Sequence, residues 1–401
     1  MSPDRPVDPD RPVGAAPLRP RVLYYAHDHG VGHLRHAARA AATGAFELTV
    51  ATSDRGAADV LPDGTGLQVL PSDVVPGHRQ PPVSRLHYTP TGPVIRDRFA
   101  ALLDAARTAR PDVAVVDVSV ETALFLRLAG YPVIHRRMHG DRTDPAHELV
   151  YAESDHLIAH YGTALEDPGW RERLGAKTTF LGAPDVTGRL GQRAAAHPGV
   201  QRTTPEIAVV TGTGGGGVRL ADLARAAGQV PGARWHVYGP VLGHDDADAR
   251  GGVSVTVEHP AAAGGGDRSA VTSGVPAPPN LLLHGWTDDV SGRMRAADLV
   301  VVSAGYSAVA DATGSARPIV LAPEARPFDE QDHFAAAAHA AAGVPWCRWR
   351  DESADWAAAV ETALQDPESS DRLAAHVLTE PGEYRRRWES AVRQALMGEV
   401  D

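Results

Sequence analysis

RVLYYAHDHGVGHLRHAARAAATG, residues 21–44, is the first stretch of the chain whose pattern commits it to a fold. Arg21-Val-Leu-Tyr-Tyr-Ala26 is a short apolar run bounded by polar residues, which predicts a buried strand. His27-Asp-His-Gly-Val-Gly-His33 follows as a turn with two glycines. The Ala- and Arg-rich segment after it favours helix, and Gly44 stops that helix. Outward from here the alternation repeats. FELTVAT (46–52) and PDVAVVDVS (111–119) read as strands, the second preceded by the helical RDRFAALLDAARTA. YPVIHRR (131–137), DHLIAH (155–160) and TTFLGAP (178–184) follow, separated by helix-length segments. Continuous apolar strands alternating with helices predict a parallel sheet covered on both faces.

The pattern restarts at EIAVVTG (206–212), which is followed by a glycine run, a helix over Val218–Ala227, and strands at ARWHVYG, VSVTVEH, NLLLHG, DLVVVSAG and PIVLAP. The expected organisation is therefore two doubly wound α/β domains, residues 20–187 and 205–380, joined by a linker at 188–204. Before them stands a disordered Pro-rich leader, 1–19, in which PDRPV occurs twice. The Gly-, Ala- and Pro-rich segment 261–279 reads as a mobile surface insert. A charged helix in 381–401 ends the chain, and its pattern fits packing on its own domain or on the first. Two such domains turn their C-terminal strand ends towards a shared cleft, where ligands are expected.

Composition narrows the function classes. The 401 residues carry 39 Lys+Arg against 50 Asp+Glu, a net charge of −11. With no basic tract, general nucleic-acid binding is disfavoured. Cys347 is the sole cysteine, which excludes an intrachain disulfide framework and a multi-cysteine metal site. No apolar run approaches a membrane span, and the N-terminus lacks a signal-peptide core, so a soluble cytoplasmic protein is expected. Residues 1–200 hold 22 basic against 23 acidic side chains, and residues 201–401 hold 17 against 27. An anionic ligand of the second half would have to be attracted by local geometry.

Three stretches carry candidate chemistry. Gly30 and Gly32 permit a tight turn with close ligand approach, and His33, in the first helical turn, can act as a general base. The bland alternative is that His27, His29 and His33 only fill a turn; as a metal site they lack a convincing fourth ligand, and no metal is expected. HDDAD (244–248) reads as a solvated turn in preference to a metal loop. The second stretch is Thr211-Gly-Thr-Gly-Gly-Gly-Gly217, again between strand and helix, where backbone N–H groups and a helix N-terminus bind anions without basic side chains. A dinucleotide reading expects an acid ending the next strand, and Val237-Tyr238-Gly239 has none. The third stretch is HGWTDDV (284–290) with DLVVVSAGYSAVADATG and DEQD (329–332). Ser303 and Gly305 end a strand, Asp311 lies on the next helix within reach of ligand hydroxyls, and Asp329 to Asp332 open another. First-turn acids there are also simple dipole complements.

Gly30-x-Gly32-His33, the turn 212–217 and SAGYSAVADATGSARPIVLAP…DEQDHFA together resemble the GT-B glycosyltransferases of family 28, the MurG-like lipid-intermediate N-acetylglucosaminyltransferases. The likeness runs in order from Arg21 to Gly343. It is strongest to a group of predicted bacterial glycosyltransferases that open GxGHLRRAARLA; here the text is GVGHLRHAARAA, with His36 for the second Arg. The resemblance implies two Rossmann-like domains facing across a cleft and a metal-independent, inverting transfer from a nucleotide-diphospho hexose, UDP-linked. No cofactor is implied beyond that substrate. The acceptor would be a hydroxyl of a lipid-linked or small molecule, with peripheral contact to the inner membrane face for a lipid-linked one. By the family pattern His33 falls on the motif His beside the donor diphosphate and acceptor hydroxyl; the mechanism expected here has His33, oriented by Asp28, take the acceptor proton. Thr213, Gly214, Gly215, Gly216 and Gly217 fall on the diphosphate loop, and Trp286-Thr287 on the segment that reads uracil. Asp311 falls where the family has Glu on the ribose, and Glu330-Gln331 where it has a Gln-rich pair on the sugar. The turn lacks the Ser-Gln of the lipid-intermediate enzyme, and 324–328 is longer. Neither the sugar nor peptidoglycan synthesis is implied. A nucleotide-sugar hydrolase of the pseudaminic-acid type, an epimerase and a silent nucleotide-sugar binder share the architecture.

Overall fold

The computed structural model describes residues 19–28, 31–73, 91–191, 202–212, 217–242 and 278–397. The leader up to Leu18, the VSVTVEH strand, HDDAD, most of the linker and residues 261–277 of the insert lie outside these.

In the first half, seven parallel strands are found among the described residues: β1 (Arg21–Tyr25), β2 (Glu47–Thr52), β3 (Gly66–Val69), β4 (Val113–Val116), β5 (Val133–Arg136), β6 (His156–Ala159) and β7 (Thr178–Phe180). Their order is β3-β2-β1-β4-β5-β6-β7. β4, β5 and β6 are buried along their whole length, as apolar runs covered on both faces must be. β3 is the strand the sequence pattern does not announce. As an edge strand with sequence GLQV it is only partly covered, so nothing selects a continuous apolar run. The connecting helices are α1 (Val31–Ala42), α2 (Ala57–Val60), α3 (Pro93–Ala109), α4 (Val120–Leu128), α5 (Pro145–Glu153) and α6 (Pro168–Leu174). TTFLGAP is not one strand. It breaks at Gly182 (φ +69), where a Cβ would collide with Thr379 Oγ1, and resumes as β8 (Ala183–Pro184).

In the second half the parallel strands are β9 (Glu206–Val210), β10 (Arg234–Tyr238), β11 (Leu281–Gly285), β12 (Leu299–Val302) and β13 (Ile319–Leu321), in the order β11-β10-β9-β12-β13. Around them lie α7 (Leu220–Gln229), α8 (Val290–Ala296), α9 (Tyr306–Gly314), α10 (Glu330–Ala342), α11 (Trp356–Gln365) and α12 (Glu368–Val377). A two-residue strand, β14 (Leu378–Thr379), then pairs with β8, and α13 (Pro381–Met397) follows.

The sequence leaves open where α13 packs; it crosses back to the first domain. Trp388 is fully buried, its ring 5.6 Å from Phe46 and 6.5 Å from Tyr24. Arg387 Nη1 donates to Phe180 O at 2.9 Å. The domains also share an apolar core in which Met138, Tyr161 and Leu165 pack with Tyr306, Val309 and Phe334. No helix among the described residues is long and apolar enough to cross a membrane.

Candidate functional site

Each sheet reverses its strand order beside its first strand, between β1 and β4 and again between β9 and β12. At such a switch point the helices leave in opposite directions and open a crevice at the strands' C-terminal ends.

In the first crevice, α1 is the helix that follows β1, and Asp117 directly follows β4. His33, on the first turn of α1, places Nδ1 3.1 Å from Asp117 Oδ2. Arg136, the last residue of β5, gives Asp117 Oδ1 a 2.7 Å bond through Nη1, and Tyr24 Oη donates to Oδ2 at 3.3 Å. Asp117 is fully buried, which by itself would raise its pKa, but Arg136 and then His33 hold it well below the usual carboxylate range. An ionised carboxylate here can only accept, so His33 donates its Nδ1–H to Asp117. Nε2 is then left as the basic nitrogen on a ring 17% exposed to the crevice. The turn after Asp117 is tight: Ser119 N donates to Asp117 O at 3.0 Å, with Val118 at φ +76. A β-branched residue at positive φ is strained by about 1–3 kcal/mol. The reversal lets Ser119 cap α4 through the Thr122 N–H.

From the sequence, Asp28 is the expected orienting acid. In the structure Asp28 lies against His27 (3.3 Å), and the carboxylate at His33 is Asp117. The one hint in the sequence was an acid ending a wholly apolar strand. His27 is also 4.0 Å from Asp73. His29 and Gly30 lie outside the described residues. At Gly32, in the first turn of α1, a Cβ would meet nothing within 4 Å among the described residues.

The second crevice is built differently. Gly212 and Gly217 bracket residues 213–216, so Thr213, Gly214, Gly215 and Gly216 lie outside the described residues. Gly217 has φ +67, and a Cβ there would collide with Leu242 at 2.6 Å, so the position requires glycine. α7 and α9, the helices flanking this crevice, both start without a side-chain cap. Ser303 follows β12 and Gly305 immediately precedes α9; a Cβ on Gly305 would lie 3.6 Å from Gln331 Nε2 and 3.8 Å from Ser303 Oγ. Gln331 is buried, and its Oε1 accepts from Glu324 N at 2.9 Å. Burial raises the pKa of Glu324, with Arg326 and Arg350 opposing. Ser303, Gly305 and Gln331 thus converge.

Asp311 and Glu330 do not join that group directly, because both reach the first domain. Asp311 pairs with Arg35 (3.0 Å) and Arg39 (3.2 Å) of α1, and Glu330 accepts from Arg142 at 3.2 Å. Trp286 is 63% exposed, and Thr287 Oγ1 accepts from Asp289 N at the start of α8.

Two doubly wound parallel domains, meeting with their switch points across one interface, constitute the GT-B fold. No family model matches the chain, and no curated protein matches it. Among solved structures the chain is similar to the spinosyn rhamnosyltransferase SpnG complexed with thymidine diphosphate, with TM-score 0.56 and 16% identity over 91% of this chain and 99% of that one. It is similar to the glycotransferase of kitacinnamycin, with TM-score 0.55 and 18% identity over 94% and 98%. MurG of Acinetobacter baumannii aligns with TM-score 0.52 and 12% identity over 94% and 98%.

Proposed function

We propose that this protein is a glycosyltransferase that moves a hexose-type sugar from a nucleotide-diphospho donor, UDP-linked, to an acceptor hydroxyl, without a metal and with inversion at the anomeric carbon. The observation that carries the reading is the His33–Asp117 pair in the crevice of a GT-B fold. In this mechanism the acceptor oxygen attacks the anomeric carbon while its proton passes to His33 Nε2. Asp117 stabilises the imidazolium that forms. The bond from the anomeric carbon to the diphosphate breaks in the same step, which inverts the centre. The N-terminus of α9, which has no side-chain cap, stabilises the charge on the departing nucleoside diphosphate. By the family resemblance, Trp286 and Thr287 face the base, Asp311 the ribose, and Glu330 with Gln331 the sugar hydroxyls. The acceptor class is a lipid-linked or small-molecule hydroxyl, met in the cytoplasm or at the inner face of the membrane. The neighbour SpnG is described in complex with thymidine diphosphate, so that base belongs in the same test.

The test is a thermal-shift screen with UDP, thymidine diphosphate and GDP, followed by turnover of the matching sugar nucleotides. A ligand at about 100 times its Kd adds about 2.7 kcal/mol of stability. No stabilisation by any nucleotide would overturn the reading, and full-rate nucleotide release without acceptor would make the protein a hydrolase.

A further inference from the structure

The first crevice contains a cation that general-base catalysis does not itself require. Arg136 is buried at the end of β5, with Nη1 2.7 Å from Asp117 Oδ1 and 3.5 Å from His33 Nδ1. A buried ion pair is a poor stabiliser compared with an apolar filling of the same space, so scaffolding is a weak reason for it. The guanidinium also lies 4.9 Å from the ring centroid of Tyr306, the first residue of α9 in the other domain. That ring is fastened to the first domain. His139 N donates to Tyr306 Oη at 2.8 Å, and His139 Nδ1 lies 2.9 Å from the same oxygen. His139 Nε2 is 2.6 Å from Leu165 O, a carbonyl that can only accept. Nε2 therefore carries the proton, Nδ1 is bare, and the Tyr306 hydroxyl donates to it. Burial lowers the pKa of His139 to about 3, in keeping with this neutral tautomer.

We propose that Arg136 is a positioning residue that keeps His33 unprotonated and aimed while Asp117 stays ionised, and that Tyr306 makes this arrangement depend on contact between the two domains. The inference rests on His33 being the base. An ionised Asp117 alone would draw a second proton onto His33 and leave imidazolium, which cannot accept the proton of an acceptor. A cation on the far oxygen of the same carboxylate offsets that pull while keeping the bond that sets the ring's orientation. Other groups face the site as well. Tyr24 on β1 touches Asp117, and the His27 ring lies 6.0 Å from the His33 ring, tilted by 57°. His36 and Arg39 on α1 and His160 after β6 lie close enough to act on this group of charges, and Glu330 acts on Arg136 from the second domain. His36 and His160 are kept neutral by burial, so Arg136 is the charge that balances Asp117 at neutral pH.

The experiment follows the His33 ring by NMR in the full chain labelled at histidine, with the signal assigned through His33→Gln. In Arg136→Met its titration midpoint should rise by about one pH unit. The acidic limb of kcat/KM for donor turnover should move up with it, kcat should fall by about 10²-fold, and donor KM should change less than threefold. Arg136→Lys, which keeps the charge, should restore the midpoint and at least a tenth of kcat. Tyr306→Leu should move the midpoint in the same direction by a smaller step. An unmoved midpoint in Arg136→Met overturns the proposal. An unmoved midpoint in Tyr306→Leu alone removes the link between the domains. The titration is read without turnover, so it is separate from the functional reading, which fails if His33→Gln retains full activity. If Arg136→Met does not fold, an unmoved Arg136→Lys with a shifted Arg136→Gln supports the charge role, and equal midpoints in both overturn it.

Discussion

The two crevices share a topology and use it in opposite ways. Between β1 and β4 the chain fills the site with its own charges. Asp117 accepts from three partners, its cation is buried beside it, and α4 is capped by Ser119. Between β9 and β12 the flanking helices α7 and α9 are left without side-chain caps, and the converging residues are Ser303, Gly305 and Gln331. A switch point supplies only a crevice and helix ends. In the proposed reading, the crevice filled with paired side chains moves a proton, and the one where α9 starts without a side-chain cap receives the anion that the ligand brings. On that reading an anion site made of backbone needs no basic patch, which is compatible with the acid excess of residues 201–401.

Four experiments probe that contrast. The largest effect is expected in the first crevice: His33→Gln should lower turnover by roughly 10²–10⁴-fold with donor affinity kept, measured by steady-state kinetics and nucleotide titration. In the second crevice, Gly305→Asp gives α9 the cap it lacks. Its backbone (φ −83, ψ 139) accepts a side chain, and the nearest atoms to a new Cβ are 3.6 Å away. We expect nucleotide Kd to rise by about 10²-fold while the melting temperature holds or rises slightly, because cap and anion compete for the same N–H groups.

Behind the first crevice lie buried neutral histidines. His36 and His160 stack at 3.8 Å with pKa values pushed well below 6.5 by burial, and burial takes His135 to about 3. The unfolded chain binds protons on these rings near pH 6.5 and the folded chain does not. Their stability contribution is therefore complete above that pH and is lost as pH falls, at about 1.4 kcal/mol per ring per pH unit. Melting curves from pH 7 to 5 should show a steep fall, and His36→Phe should flatten it. The smallest effect is expected where the two regions touch. Asp311→Asn removes partly exposed ion pairs to Arg35 and Arg39, which should cost less than about 1 kcal/mol. Nucleotide Kd should rise about threefold to tenfold if the ribose draws on that carboxylate; an unchanged Kd assigns it to the arginines alone.

Much of the fold was legible because buried parallel strands are nearly all apolar: β1, β2, β4, β5, β6, β9, β12 and β13 fall inside the runs read from sequence. β3 was missed because an edge strand escapes that constraint, and TTFLGAP was read as one strand because nothing local announces the crossing at Gly182. His33 was legible from strand, glycines and helix. Its partner was not. Asp28 is near it in sequence, whereas Asp117 is near it only because β4 lies beside β1.

The sequence by itself therefore determined two α/β units, the glycine turns between strand and helix, and a histidine at the first of them, since periodicity and turn chemistry are local. Only the tertiary structure decided that Asp117 and Arg136 stand behind that histidine, that Asp311 and Glu330 reach across to arginines of the other domain, and that α13 returns to bury Trp388 on the first sheet. Strand order and domain docking set which distant side chains meet, and neither leaves a periodic mark on the chain.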